Sequence, residues 1–179
     1  MALAASAAAR AAEPLYATEP GHVEVELELV GVPWDAGAEF DALDPLVLFG
    51  LAGGVYLGDG LRLQAIVRAD VSDPEADHLE AMAGLGWTWI EATPMALPPA
   101  LRLGARAEIG WRWLELQGSD FTLDDDGPTA ALSAEIGVVA FDGFALVARV
   151  GAAVVAGSNR ALPELQVQLR TGLAFEGSF

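Results

Sequence analysis

The chain contains no cysteine and no lysine, and only two histidines. Without cysteine there is neither a disulfide framework nor a thiolate metal site. Without lysine, Schiff-base chemistry and a phosphate-binding P-loop are excluded. His22 and His78 fit neither a two-histidine metal motif nor a Ser-His pair at sequence spacing. Long apolar runs are missing too. A membrane helix needs about 18 to 20 consecutive apolar residues, and the longest uncharged stretch, Pro45 to Gly58, is shorter and holds four glycines. Asp124-Asp125-Asp126-Gly127 resembles the middle of a calcium loop but lacks the spaced ligands and the closing glutamate. Asp124, Asp125 and Asp126 are therefore candidates for a weak cation site at most, and no cofactor is expected.

What is present is an apolar chain with a large charge. The 179 residues suit a single domain; 53% are hydrophobic, yet the formal net charge is -17. So much apolar surface requires either an unusually apolar soluble core or an outer face turned to lipid, where only helices and closed barrels satisfy their backbone. Residues 1–21 read as a lead-in. The Ala-rich start, with Ala9-Arg10-Ala11 before Ala12-Glu13-Pro14, fits a residual signal peptide without its basic region, or an Ala-rich helix.

From residue 22 to 179, eight segments alternate with period two, the signature of half-buried strands. They run His22–Val32, Leu46–Leu57, Leu61–Val71, His78–Glu91, Ala100–Trp113, Thr129–Phe141, Phe144–Gly157 and Leu165–Phe179. Short turns at Gly58-Asp59-Gly60 and Asp142-Gly143, and a moderate one over Ala92–Pro99, alternate with longer links over Pro33–Asp44, Ser72–Asp77, Gln117–Pro128 and Ser158–Glu164. That order predicts an up-and-down antiparallel barrel with an even strand number. Trp87, Trp89, Phe175 and Phe179 fall near one end of their strands, and Trp111 and Trp113 near the other. Two such girdles are expected where amphipathic rings meet a lipid interface.

The second parity carries charge. Arg62, Arg68, Arg102, Arg106, Arg112, Arg149 and Arg170 share it with Glu24, Glu26, Glu28, Asp70, Glu80, Glu108, Glu135 and Glu176. Turned inward, these form a nearly neutral interior in which guanidinium forks pair carboxylates; an eight-stranded barrel has room for side chains and little else. The remaining charge lies mostly in the long links, making that end strongly acidic. Such an end repels nucleic acid and attracts divalent cations, basic partners or cation-bridged lipopolysaccharide phosphates, or it serves solubility alone.

The last segment sets Leu165, Val167, Leu169, Leu173, Phe175 and Phe179 against Gln166, Gln168, Arg170 and Glu176. This pattern, closing on an aromatic, resembles the final strand of small bacterial outer-membrane β-barrels of the OmpA-like and OmpX-like kind. The resemblance implies an all-β, eight-stranded transmembrane barrel in the bacterial outer membrane, a final strand read by the barrel assembly machinery, a lipid bilayer as the main partner, and a monomer. It implies a structural or surface-interaction role without catalysis. The rivals are a soluble lipocalin-like barrel holding a small apolar ligand, a narrow ion-conducting pore, and a lipid-modifying enzyme, for which no His-x-Ser element is present. The first rival is separable on a gel: the folded chain in detergent should migrate faster before boiling than after, and a chain monomeric in plain buffer would refute the membrane assignment.

Overall fold

In the computed structural model, the described residues are 21–31, 46–58, 60–72, 76–91, 100–117, 122–141, 144–158 and 165–179. They form eight strands: β1 Gly21–Gly31, β2 Leu46–Gly58, β3 Leu61–Asp70, β4 Ala76–Glu91, β5 Ala100–Gln117, β6 Thr122–Phe141, β7 Phe144–Ala156 and β8 Leu165–Ser178. Each pairs antiparallel with its sequence neighbours, and β1 pairs with β8, so the sheet closes without a free edge. Closure satisfies the backbone within the sheet. The seam extends to Phe179, whose amide and carbonyl exchange 2.9 Å hydrogen bonds with Gly21. Its ring lies over Gly21, where a Cβ would come within 2.7 Å of it.

Alternation decides which face each residue takes, and the polarity is the reverse of a soluble barrel. Leu27, Leu63, Ile109, Leu132, Leu146 and Leu173 face outward and are exposed, while arginine and glutamate fill the interior. The lipocalin-like alternative requires the opposite arrangement and is overturned. A surface this apolar has the form of a membrane-spanning barrel, whose strands need about 9 to 11 residues to cross when tilted; β3, the shortest, has 10. No helix among the described residues could cross a membrane.

Strands β5 and β6 run well past the bounds that the sequence pattern suggests. β5 continues to Gln117 and β6 starts at Thr122, so the expected link over Gln117–Pro128 shrinks to residues 118–121. Asp-Asp-Asp-Gly has turn chemistry and poor strand propensity, which hides the extension. Tertiary contacts override it: Asp126 pairs with Trp113 and Asp125 with Leu114 in register, and Ser158 binds both aspartates. The expected link over Ser72–Asp77 is shorter as well, since β4 begins at Ala76.

Glycine makes space for the charged interior. On the inner face a Cβ at Gly50 would stand 2.5 Å from Glu26 Cγ, and one at Gly86 would stand 2.5 Å from Arg62 Nε. Gly60 answers a different need. Its φ of 77° is left-handed, and a Cβ there would strike the Thr88 carbonyl oxygen at 1.9 Å, so only glycine completes the β2–β3 turn. Gly86→Leu should therefore lower the stability of the folded barrel by about 1 to 3 kcal/mol. Outward-facing Gly53, where a Cβ meets only a carbonyl oxygen at 3.9 Å, should accept alanine within about 0.5 kcal/mol. Urea unfolding in lipid vesicles measures both, and equal costs would refute a filled lumen.

Candidate functional site

The lumen is built by strand alternation: every second residue of each strand points inward, and the long polar side chains converge across the barrel. Near the rim formed by the start of β1 and the end of β8, Tyr56 donates to Glu176 at 2.5 Å, and Glu176 also binds Arg62 at 2.9 Å and Arg102 at 2.6 Å. Arg62 carries the connection on to Glu135, at 2.5 Å. Arg149 then joins Glu135 at 3.0 Å, Glu24 at 3.0 Å and Glu26 at 2.5 Å. Arg106 lies 3.0 Å from Glu24, 3.1 Å from Glu26 and 2.5 Å from Glu108.

Arg68 extends the chain of contacts toward the other rim. It bonds Glu26 at 2.5 Å and grips both oxygens of Glu108 at 2.8 and 2.9 Å, and Glu28 stands 3.3 Å away. Arg170 grips both oxygens of Glu80 at 2.6 and 2.8 Å and lies 3.5 Å from Glu28. His78 closes on Glu80 at 3.1 Å. From Glu176 to His78 these contacts form one connected path along the barrel. All of these side chains are buried.

Two candidate residues sit elsewhere than the sequence pattern suggests. Asp70 ends β3 and accepts hydrogen bonds from the Ser72 amide and hydroxyl at 2.7 and 2.8 Å, so it belongs to the rim and not to the network. Asp125, placed by sequence with the acidic link, is fully buried and bonded to Arg112, with Gln166 bridging to both at 3.0 and 3.1 Å. Its neighbours diverge, Asp124 being exposed and Asp126 half-buried. The Asp124–Asp126 run is thus part of a strand with alternating faces. No group of three His, Asp or Glu side chains suited to a metal ion occurs among the described residues.

Sequence reasoning passed over Tyr56 and His22 as lumen residues, and both are buried there. Their parity was the available signal. Each lies an even number of residues from an inward charge or inward glycine on its own strand.

Outside, Trp87, Trp89, Phe175 and Phe179 are exposed near the β1-start rim, with Phe175 stacked on Phe144 at 5.6 Å. Trp111 and Trp113 are exposed toward the opposite rim, level in register with Ala81 and Leu79. Beyond Trp113, at the rim, an open cleft of about 520 Å³ is lined by Asp70, Asp77, His78, Trp113, Glu115 and the Asp124–Asp126 run, among others.

No protein-family model matches the chain, and no curated protein matches it. Solved structures do. Neisserial surface protein A shares 12% identity at a TM-score of 0.61, over 89% of this chain and 97% of that one. The N-terminal β-barrel domain of Pseudomonas aeruginosa OprF shares 17% at 0.51, over 87% and 96%. The fold is that of the small outer-membrane barrels. At such low identity the likeness extends to architecture alone.

Arg106 tests the network. Arg106→Ala leaves Glu24, Glu26 and Glu108 short of one cation in a dry interior, a loss of about 3 to 5 kcal/mol. Urea unfolding in vesicles reads it, and an unchanged midpoint would refute the inward placement.

Proposed function

We propose that this protein is a monomeric, non-enzymatic barrel of the bacterial outer membrane, with its lumen closed by ion pairs and its working surface at the acidic rim. The observation that carries this reading is the uninterrupted path of Arg–carboxylate contacts from Glu176 to His78. Seven buried arginines face eight buried carboxylates, Asp125 standing where the sequence pattern put Asp70. The interior is therefore nearly neutral, and almost the whole charge of -17 lies outside it.

Connection lengths and the placement of the acidic residues support one orientation. Tight turns follow β2 and β6 and a link over residues 92–99 follows β4, while the longest connection, residues 32–45, lies at the other end with most of the acidic residues. Outer-membrane barrels keep short turns in the periplasm and longer loops outside, so β1 runs outward and both termini lie in the periplasm. The acidic end then meets the outer leaflet, where divalent cations bridge its carboxylates to lipopolysaccharide phosphates, and nucleic acid is repelled. The bilayer holds the apolar belt, and the β8 strand ending at Phe179 is the element offered to the barrel assembly machinery.

A closed lumen has an electrical signature. In a planar bilayer the wild-type barrel should show no conductance steps, and removal of two central cations in Arg106→Ala/Arg149→Ala should produce them. Steady conductance by the wild type would favour the narrow-pore reading instead.

A further inference from the structure

Seven buried arginines against eight buried carboxylates leave the lumen one positive charge short among the described residues. The shortfall has a place. At the end of the barrel where β3 stops, the carboxylates are Glu28 of β1, Asp70 of β3, Glu80 of β4 and Asp125 of β6. The guanidinium groups among them are Arg68 of β3, Arg112 of β5 and Arg170 of β8, and Arg68 is shared with Glu26 and Glu108 below. From β2 and β7 the inward side chains at this end are apolar, Leu48 and Val155. An uncompensated ion in so dry a space is strongly destabilising, so a further cation is called for here.

His78 is the base within reach. Its side chain is fully buried and its Nε2 lies 3.1 Å from the Glu80 carboxylate, which accepts the hydrogen of that nitrogen. Its other nitrogen faces a second acid. Asp70 and His78 follow the Ala69–Leu79 pair on their two strands, both turned inward, and opposed residues on one face of a sheet have Cβ atoms about 4.5 to 5.5 Å apart. The Ser72 amide and hydroxyl bind Asp70 Oδ1 at 2.7 and 2.8 Å, which leaves Oδ2 free to turn to β4. Asp70 Oδ2 and His78 Nδ1 are both shielded from solvent, and neither has a hydrogen-bond partner among the described residues. An acidic oxygen and a basic nitrogen on opposed residues are one proton short of a hydrogen bond.

We propose that His78 is the eighth cation of the lumen, an imidazolium that donates Nε2–H to Glu80 and Nδ1–H to Asp70 and so clasps the end of β3 to β4. The proton comes from solvent at the rim cleft, which both residues line, and no other group gains or loses one. The sign of the pH response follows. The clasp is present in acid; as pH rises the proton leaves Nδ1, Asp70 is released, and the mouth of the barrel regains one uncompensated negative charge. This goes beyond the function proposed above, because it makes one rim of a closed barrel responsive to pH.

Nitrogen NMR reads the proton directly. The barrel is labelled with ¹⁵N-histidine, folded in detergent and titrated between about pH 5 and 8. At the acidic end His78 should give the signature of a ring protonated on both nitrogens, with an observable Nδ1–H; His22, whose nitrogens bond no carboxylate, is the internal comparison. Asp70→Asn leaves every Arg–carboxylate pair in place, and His78 should then need about tenfold more acid to reach the same state, with His22 unmoved. A His78 ring that stays singly protonated across this range in a barrel shown folded by its gel mobility would overturn the proposal. So would an Asp70→Asn titration that superimposes on the wild type, or one in which both histidines shift alike.

Discussion

Seven guanidinium groups and eight carboxylates share a space enclosed by eight strands, and every other feature of the molecule answers to that crowding. Buried ion pairs add little net stability, because desolvation offsets most of their attraction. Their leverage lies in what the alternatives cost. A register slip of one residue would turn Glu24, Glu26 and Glu28 to the outside and Val25, Leu27 and Leu29 to the lumen, reversing both faces of β1 at once. The charges and the apolar belt therefore specify the same register from opposite sides of the sheet. The inner glycines belong to this constraint: Gly50 makes way for Glu26, and Gly86 for Arg62.

Alternation made the fold readable. Each strand contributes a period-two run, and period two assigns a face to every residue without reference to any partner, so the inward arginines of β3, β5, β7 and β8 could be named from sequence. Which carboxylate each one meets could not. Arg149 and Glu24 are 125 residues apart, and Arg62 reaches Glu135 across the lumen; both pairs exist because β8 closes on β1, a three-dimensional fact with no local trace. Asp125 was misplaced for the opposite reason, a local signal too strong for its context. Three aspartates and a glycine look like a turn, and nothing nearby in sequence reveals that Arg112 and Gln166 hold the middle one inside.

The two rims are finished differently. At one, Tyr56 caps Glu176, so the polar path ends against a hydroxyl. At the other, the strands stop at unequal heights, and the contacts pass from Arg–Glu pairs to His78 and the Arg112–Asp125–Gln166 group. One end finishes on a hydroxyl. The other opens into carboxylates.

Charge balance explains why the division of labour runs along the barrel axis. A lumen of this width tolerates almost no net charge, since each unpaired ion in a dry space costs several kcal/mol, and pairing consumes seven of the nine basic residues of the chain. The acidic excess then has no place except the rims and links. At the rim beyond the end of β3, the sheet carries Asp77, Glu115 and Asp124 in one lateral row. Filling the interior neutrally thus carries the negative charge of the described residues toward the rim where β4, β5 and β6 run past β3.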